Sequence, residues 1–159
     1  MSVTALASFP EVRIGHVGPV LVSVWYDQAT LRGVKAMAEQ QRGLIGRYTM
    51  MTSLSVAVKV PKAPEPDVTA WLKESDAAFK AMTRGSVIVV LERGLAAIVV
   101  RTFLAAASLI STNVMQVVKT MAEATDRVKA LPGQDLEVIN DAQLAAKLEA
   151  FVALPPPTA

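Results

Sequence analysis

VRIGHVGPVLVSVWY, residues 12–26, is two β-branched runs split by Gly18-Pro19, and it sets the reading of the whole chain. Valine and isoleucine suit a pleated, half-buried surface, and a Gly-Pro pair marks a turn, so the stretch predicts a β-hairpin. Successive side chains on a strand point to opposite faces. Val20, Val22 and Val24 therefore share one apolar face that packs on a core, and Leu21 and Ser23 point the other way.

Downstream, Asp27 or Thr30 caps a helix over QATLRGVKAMAEQQRGLIGR (28–47), where Leu31, Val34, Ala38 and Ile45 recur near the helical period and Gly43 and Gly46 fray the end. Tyr48 to Val60, YTMMTSLSVAVKV, predicts a strand from its threonines, valines and methionines. It ends at PKAPEP (61–66), whose three prolines permit neither ladder nor helix. An amphipathic helix follows Asp67, with Val68, Trp71, Leu72, Ser75, Phe79 and Met82 on one face and Gly85 as its stop. SVIVVLE (86–92) is a continuous apolar run expected of a buried central strand.

GLAAIVVRTFLAAASLIS (94–111) is too long for a strand and rich in alanine, which predicts a helix over 95–110. NVMQVVKT (113–120) predicts a short strand. Met121, Ala124, Val128 and Leu131 mark a helix ending before Pro132-Gly133, and Asn140 or Asp141 caps a last helix carrying Leu144, Leu148, Phe151 and Val152. Strands alternating with helices imply crossovers, hence an α/β fold with a mixed, mainly parallel sheet, an N-terminal hairpin as its antiparallel edge, covering helices and a C-terminal helix. The expected organisation is an arm at 1–11, the domain at 12–133, a helical extension at 134–154 and a proline-rich tail at 155–159.

Composition narrows the function classes. Among 159 residues 52% are hydrophobic and 19% charged, with mean hydropathy +0.39, so apolar surface must be buried within the chain or against a partner. The absence of cysteine excludes disulfides, thiol nucleophiles and cysteine zinc sites, and the single histidine, His16, cannot build a multi-histidine metal centre. No catalytic set converges, no cofactor motif occurs, and a non-enzymatic domain is expected. Residues 1–119 hold 13 Lys/Arg against 8 Asp/Glu, and residues 120–159 hold 3 against 6. The basic residues are scattered without aromatic interleaving, which argues against nucleic acid. Neither a signal segment nor a membrane span is read, because Arg101 interrupts the one long apolar stretch, and the cytoplasm is the expected compartment.

The element order from Val12 to Leu131 resembles the STAS or SpoIIAA-like fold, including the bacterial STAS-like proteins compared with CRAL-TRIO lipid-transfer domains. The nearest local likeness is MQVVKT (115–120) followed by MAEATDRV (121–128). That resemblance implies a non-enzymatic domain that binds a protein, a nucleotide or a lipid. Anti-sigma-factor antagonists of this fold carry a phosphorylatable serine at the start of the second helix. This chain has Pro64, Glu65, Pro66, Asp67 and Val68 there, with Thr69 as the nearest hydroxyl, so the phosphoswitch is not carried over.

The candidate binding residues are Trp25, Arg93, Gly94, Arg101 and Thr69. Trp25 alternates away from the valine face and offers a stacking surface; Trp71 has core-facing spacing. Gly94 stands between a strand and a helix start, with Arg93 beside it and Arg101 two turns on, an arrangement suited to an anion. Gly15 and Gly18 match neither GxGxxG nor P-loop spacing. His16 reads as a turn side chain, and Glu65 and Asp67 as helix N-terminal acids. Two functions follow: a regulatory protein-association module, self-associating as a homodimer or larger assembly, or a carrier of an apolar small molecule or lipid between the sheet and the helices over 68–83 and 95–110.

Overall fold

The valine face of residues 20–24 lies at the centre of a six-stranded sheet. A computed structural model describes residues 2–60, 62–94, 97, 100, 101 and 115–158. The strands are β1 (Thr4–Phe9), β2 (Val12–Val17), β3 (Val20–Trp25), β4 (Met51–Ala57), β5 (Thr83–Val90) and β6 (Met115–Val118), and they lie side by side in chain order. β1, β2 and β3 pair antiparallel; β3 to β6 pair parallel. The helices lying wholly within the described residues are α1 (Leu31–Ile45), α2 (Pro66–Met82), α3 (Met121–Lys129), α4 (Leu136–Ile139) and α5 (Leu144–Val152). The mixed α/β sheet with an antiparallel opening and a C-terminal helix is the expected class.

The crossovers β3-α1-β4 and β4-α2-β5 each step one strand in the same direction. Right-handed connections then place both helices on one face, where they pack against each other. α3 and α5 close the other face, with α3 against β4, β5 and β6. The larger core lies there: Val20, Val22, Val24, Leu54, Val56, Val87 and Val89 from the sheet meet Met121, Ala124, Val128, Leu144, Leu148 and Phe151 from the helices. Each fully buried valine or leucine contributes about 1.5–3 kcal/mol relative to exposure. The segment expected as a C-terminal extension is thus part of this core. A smaller cluster of Val12, Ile14, Leu21, Met37 and Met51 lies beneath α1.

Several boundaries differ from expectation. Residues 4–9, expected as an arm, form edge strand β1; its six residues are exposed or half-buried, so the apolar signal of a strand is weak there. β5 starts at Thr83, and Gly85, expected to stop the preceding helix, is buried inside the strand. Met51 pairs with Thr83 but Thr52 with Gly85, leaving Arg84 as the extra residue of a bulge. The bulge re-aims Arg84. Its guanidinium bonds the carbonyls of Met50 (3.2 Å) and Gly133 and the Asp135 carboxylate (3.4 Å). Of the helix expected over 95–110, Ala97, Val100 and Arg101 are helical and the remainder lies outside the described residues. Among the described residues no helix is long and apolar enough to cross a membrane.

Candidate ligand-binding cavity

The two faces of the same strands carry different side chains. Facing α3, β4 and β5 present Leu54, Val56, Val87 and Val89, all fully buried. Facing α1, the register aligns Ser23 with Ser55 and Ser55 with Ile88, then Trp25 with Ala57. Small side chains leave the second face unfilled towards the carboxyl ends of the strands. A cavity of about 770 Å³ lies there. Trp25, Ser55, Ala57 and Ile88 line it from the sheet, residues 27–29, Lys59, Val60 and residues 62–64 wall it, and Val100 contributes from the segment after β5.

Trp25 is held from both sides. Its indole N–H donates to Ser23 Oγ (3.1 Å), and its ring lies against Gly33, where a Cβ would come within 2.8 Å of it. Thr30 fixes that part of α1 as the N-cap, its hydroxyl accepting the Gly33 amide (3.1 Å). Arg32 anchors the same turn by donating to both carboxylate oxygens of Glu11 at 2.8–3.1 Å. Burial is the largest single influence and pushes the Glu11 carboxyl up, but the hydrogen bond and charge of Arg32, the Glu11 backbone amide and the Thr30 hydroxyl together outweigh it, and the pKa lies below the ordinary glutamate value.

The floor carries one short polar chain. Ser23 Oγ is 3.1 Å from Ser55 Oγ, and Ser23 is 1% exposed. At the mouth, Gln28 Nε2 donates to the Ala63 carbonyl (2.5 Å) and ties the loop after β3 to the proline-rich connection. Lys59, Lys62 and Asp27 stand exposed at the rim. The Asp27 carboxylate accepts the Gln28 amide (2.8 Å), whereas neither lysine makes an ion pair among the described residues. The site is therefore apolar within and charged only at its edge.

Of the candidates read from sequence, Trp25 lines this cavity and four do not. Thr69 is exposed in the first turn of α2. Arg93 and Gly94 are exposed, Gly94 with φ +118, and the two residues after Gly94 lie outside the described ones. Arg101 Nη2 donates to the Glu92 carbonyl (3.4 Å). His16 lies within β2 and is buried, one residue short of the turn, its Nδ1–H donating to the Gly18 carbonyl (3.0 Å). Trp71 is only half-buried. The reading missed Ser55, Ala57, Ile88, Lys59 and Lys62. One signal was present: Ser53 and Ser55 alternate with Leu54 and Val56, placing hydroxyls on one face of a strand between two others.

Among the described residues no three histidine, aspartate or glutamate side chains gather as a metal site would require. Fold and cavity define the class, a mixed-sheet α/β domain with a pocket at the carboxyl ends of its parallel strands. No family model matches the chain, and searches of curated proteins and of solved structures return no significant match. The STAS-like resemblance accordingly rests on element order alone.

Proposed function

We propose that this domain is a non-catalytic binding module that holds an apolar small molecule in the cavity over the carboxyl ends of β3–β5, on the α1 side of the sheet. The observation that carries the reading is the cavity itself: its volume falls in the range of small-molecule sites, roughly 300–1,000 Å³, and its lining is mainly apolar with few polar groups. Ser55 supports a binding role rather than a nucleophilic one, since its hydrogen-bond partner is the Ser23 hydroxyl and not a base. This reading ranks ligand holding ahead of protein association. Native mass spectrometry of protein purified without detergent tests it. A retained small molecule, lost in Ala57→Trp, is expected; bare protein that also takes up no added apolar compound contradicts it.

One observation favours self-association as a second reading. Of the seventeen residues of α2 only Val68 is buried, and Leu72 is 41% exposed beside the half-buried Trp71. Apolar side chains left uncovered on a helix with so little burial suit a second copy of the chain. Light scattering across a concentration series is expected to show dimers that Leu72→Glu dissociates, and a monomer at every concentration rules the reading out.

A further inference from the structure

We infer that the cavity selects ligands bearing a hydrogen-bond acceptor, such as a carbonyl oxygen, at the end buried against Ser55. This rests on the cavity being a ligand site and goes further in naming what the ligand must carry. An indole N–H can only donate, so Trp25 occupies Ser23 Oγ as an acceptor. Ser23 is buried, and its only other hydrogen-bond partner among the described residues is Ser55 Oγ, so its own proton points to Ser55. Ser55 Oγ is then an acceptor within the chain, and its proton must point elsewhere. Ser55 lines the cavity and has no further hydrogen-bond partner among the described residues.

Trp25, Ser23 and Ser55 thus form a one-way relay that delivers a single donor to an otherwise apolar floor. Each member polarises the next, which strengthens the terminal donor. A ligand with no acceptor at that point leaves the Ser55 proton unsatisfied once water is displaced, and a carbonyl oxygen satisfies it. Lys59 and Lys62 lie at the rim, two or more strand steps from Ser55, and play no part in this selection.

The test compares 2-acetylnaphthalene with 2-isopropenylnaphthalene, in which a CH2 group replaces the carbonyl oxygen, as competitors of the neutral dye N-phenyl-1-naphthylamine. The readout is the ratio of the two affinities in the native chain and in Ser55→Ala, with thermal melting to confirm that the variant folds. The ratio is expected to shift about threefold to tenfold towards the hydrocarbon in Ser55→Ala, the effect of one neutral hydrogen bond. An unchanged ratio with both compounds binding overturns the inference. Dye binding that neither compound competes with also overturns it but leaves the cavity reading standing. Absence of dye binding overturns the cavity reading itself.

Discussion

A Cβ on residue 33 would sit 2.8 Å from the Trp25 ring, closer than side-chain carbons approach one another, so the indole occupies the space that a side chain at Gly33 would need. Glycine inside a helix costs about 1 kcal/mol relative to alanine. In α1 that cost accompanies a close approach that sets one wall of the cavity. Gly33→Ala gains the helical term but displaces the indole or the helix, an overpacking cost of about 1–3 kcal/mol. The expected result is a net loss of stability in urea unfolding, with a shift in tryptophan emission. A variant more stable than the native chain, with unchanged emission, contradicts the packing.

Gly15 is a stricter case. A Cβ there would lie 2.7 Å from the Thr4 carbonyl oxygen, 2.8 Å from the Phe151 ring and 2.9 Å from Val3. Backbone of β1 and a core ring of α5 both close on this one position, and the carbonyl cannot rotate away. Gly15→Ala is expected to cost about 2–3 kcal/mol, consistent with overpacking of a filled core. Hydrogen exchange in the variant should be fastest over β1 and α5; uniform acceleration along the chain would show that the strain is not local.

Gln134 joins the loop after α3 to the sheet. Its buried amide donates to Thr52 Oγ1 (2.8 Å) and the Val128 carbonyl (2.9 Å), and its oxygen accepts the Asp135 amide (3.1 Å). Gln134→Leu leaves those groups unpaired in a dry site, at about 1–3 kcal/mol for each group left unsatisfied. Urea unfolding should show a lower midpoint with an unchanged slope, while dye binding at the opposite face persists.

Stability should fall in acid through two carboxylates. Burial pushes Glu11 up most strongly, but the hydrogen bonds and charge around it, led by Arg32, together hold it below its ordinary 4.5, and Asp141 is held below 3.8 chiefly by the hydrogen bond from Lys147 at 2.7 Å. A depressed folded-state pKa contributes stability that is complete above the unfolded value and lost as pH falls through the folded one. Arg32 is largely exposed, so solvent screens its share of the pair. Glu11→Gln is expected to lower the melting temperature at pH 7, with the deficit shrinking as pH falls below the ordinary glutamate value and Glu11 takes up its proton. A deficit that stays constant from pH 7 down into acid would assign the effect to packing instead of charge.

The fold was legible where burial is periodic. Val20, Val22 and Val24 announce the hairpin and its core face, and Leu144, Leu148 and Phe151 announce the last helix. β1 was not legible, because alanine and serine on an exposed edge carry no burial pattern, and its pairing depends on Gly15 admitting it. Gly85 misled in the opposite way: glycine ordinarily ends a helix, but here a bulge at Arg84 carries it into the strand. The site was half legible. Trp25 was marked by its alternation, whereas Ser55 and Ile88 become neighbours only through the parallel register, which no local pattern encodes.

Titration of N-phenyl-1-naphthylamine into the native chain and into Ala57→Trp tests the binding account most directly. Ala57 lies opposite Trp25 in the register and lines the cavity, so a large ring at that position fills it from the floor. Saturable fluorescence enhancement in the native chain, lost in a variant that still melts cooperatively, is the predicted result. Equal enhancement in both proteins, or none in either, would contradict the assignment of this cavity as the ligand site.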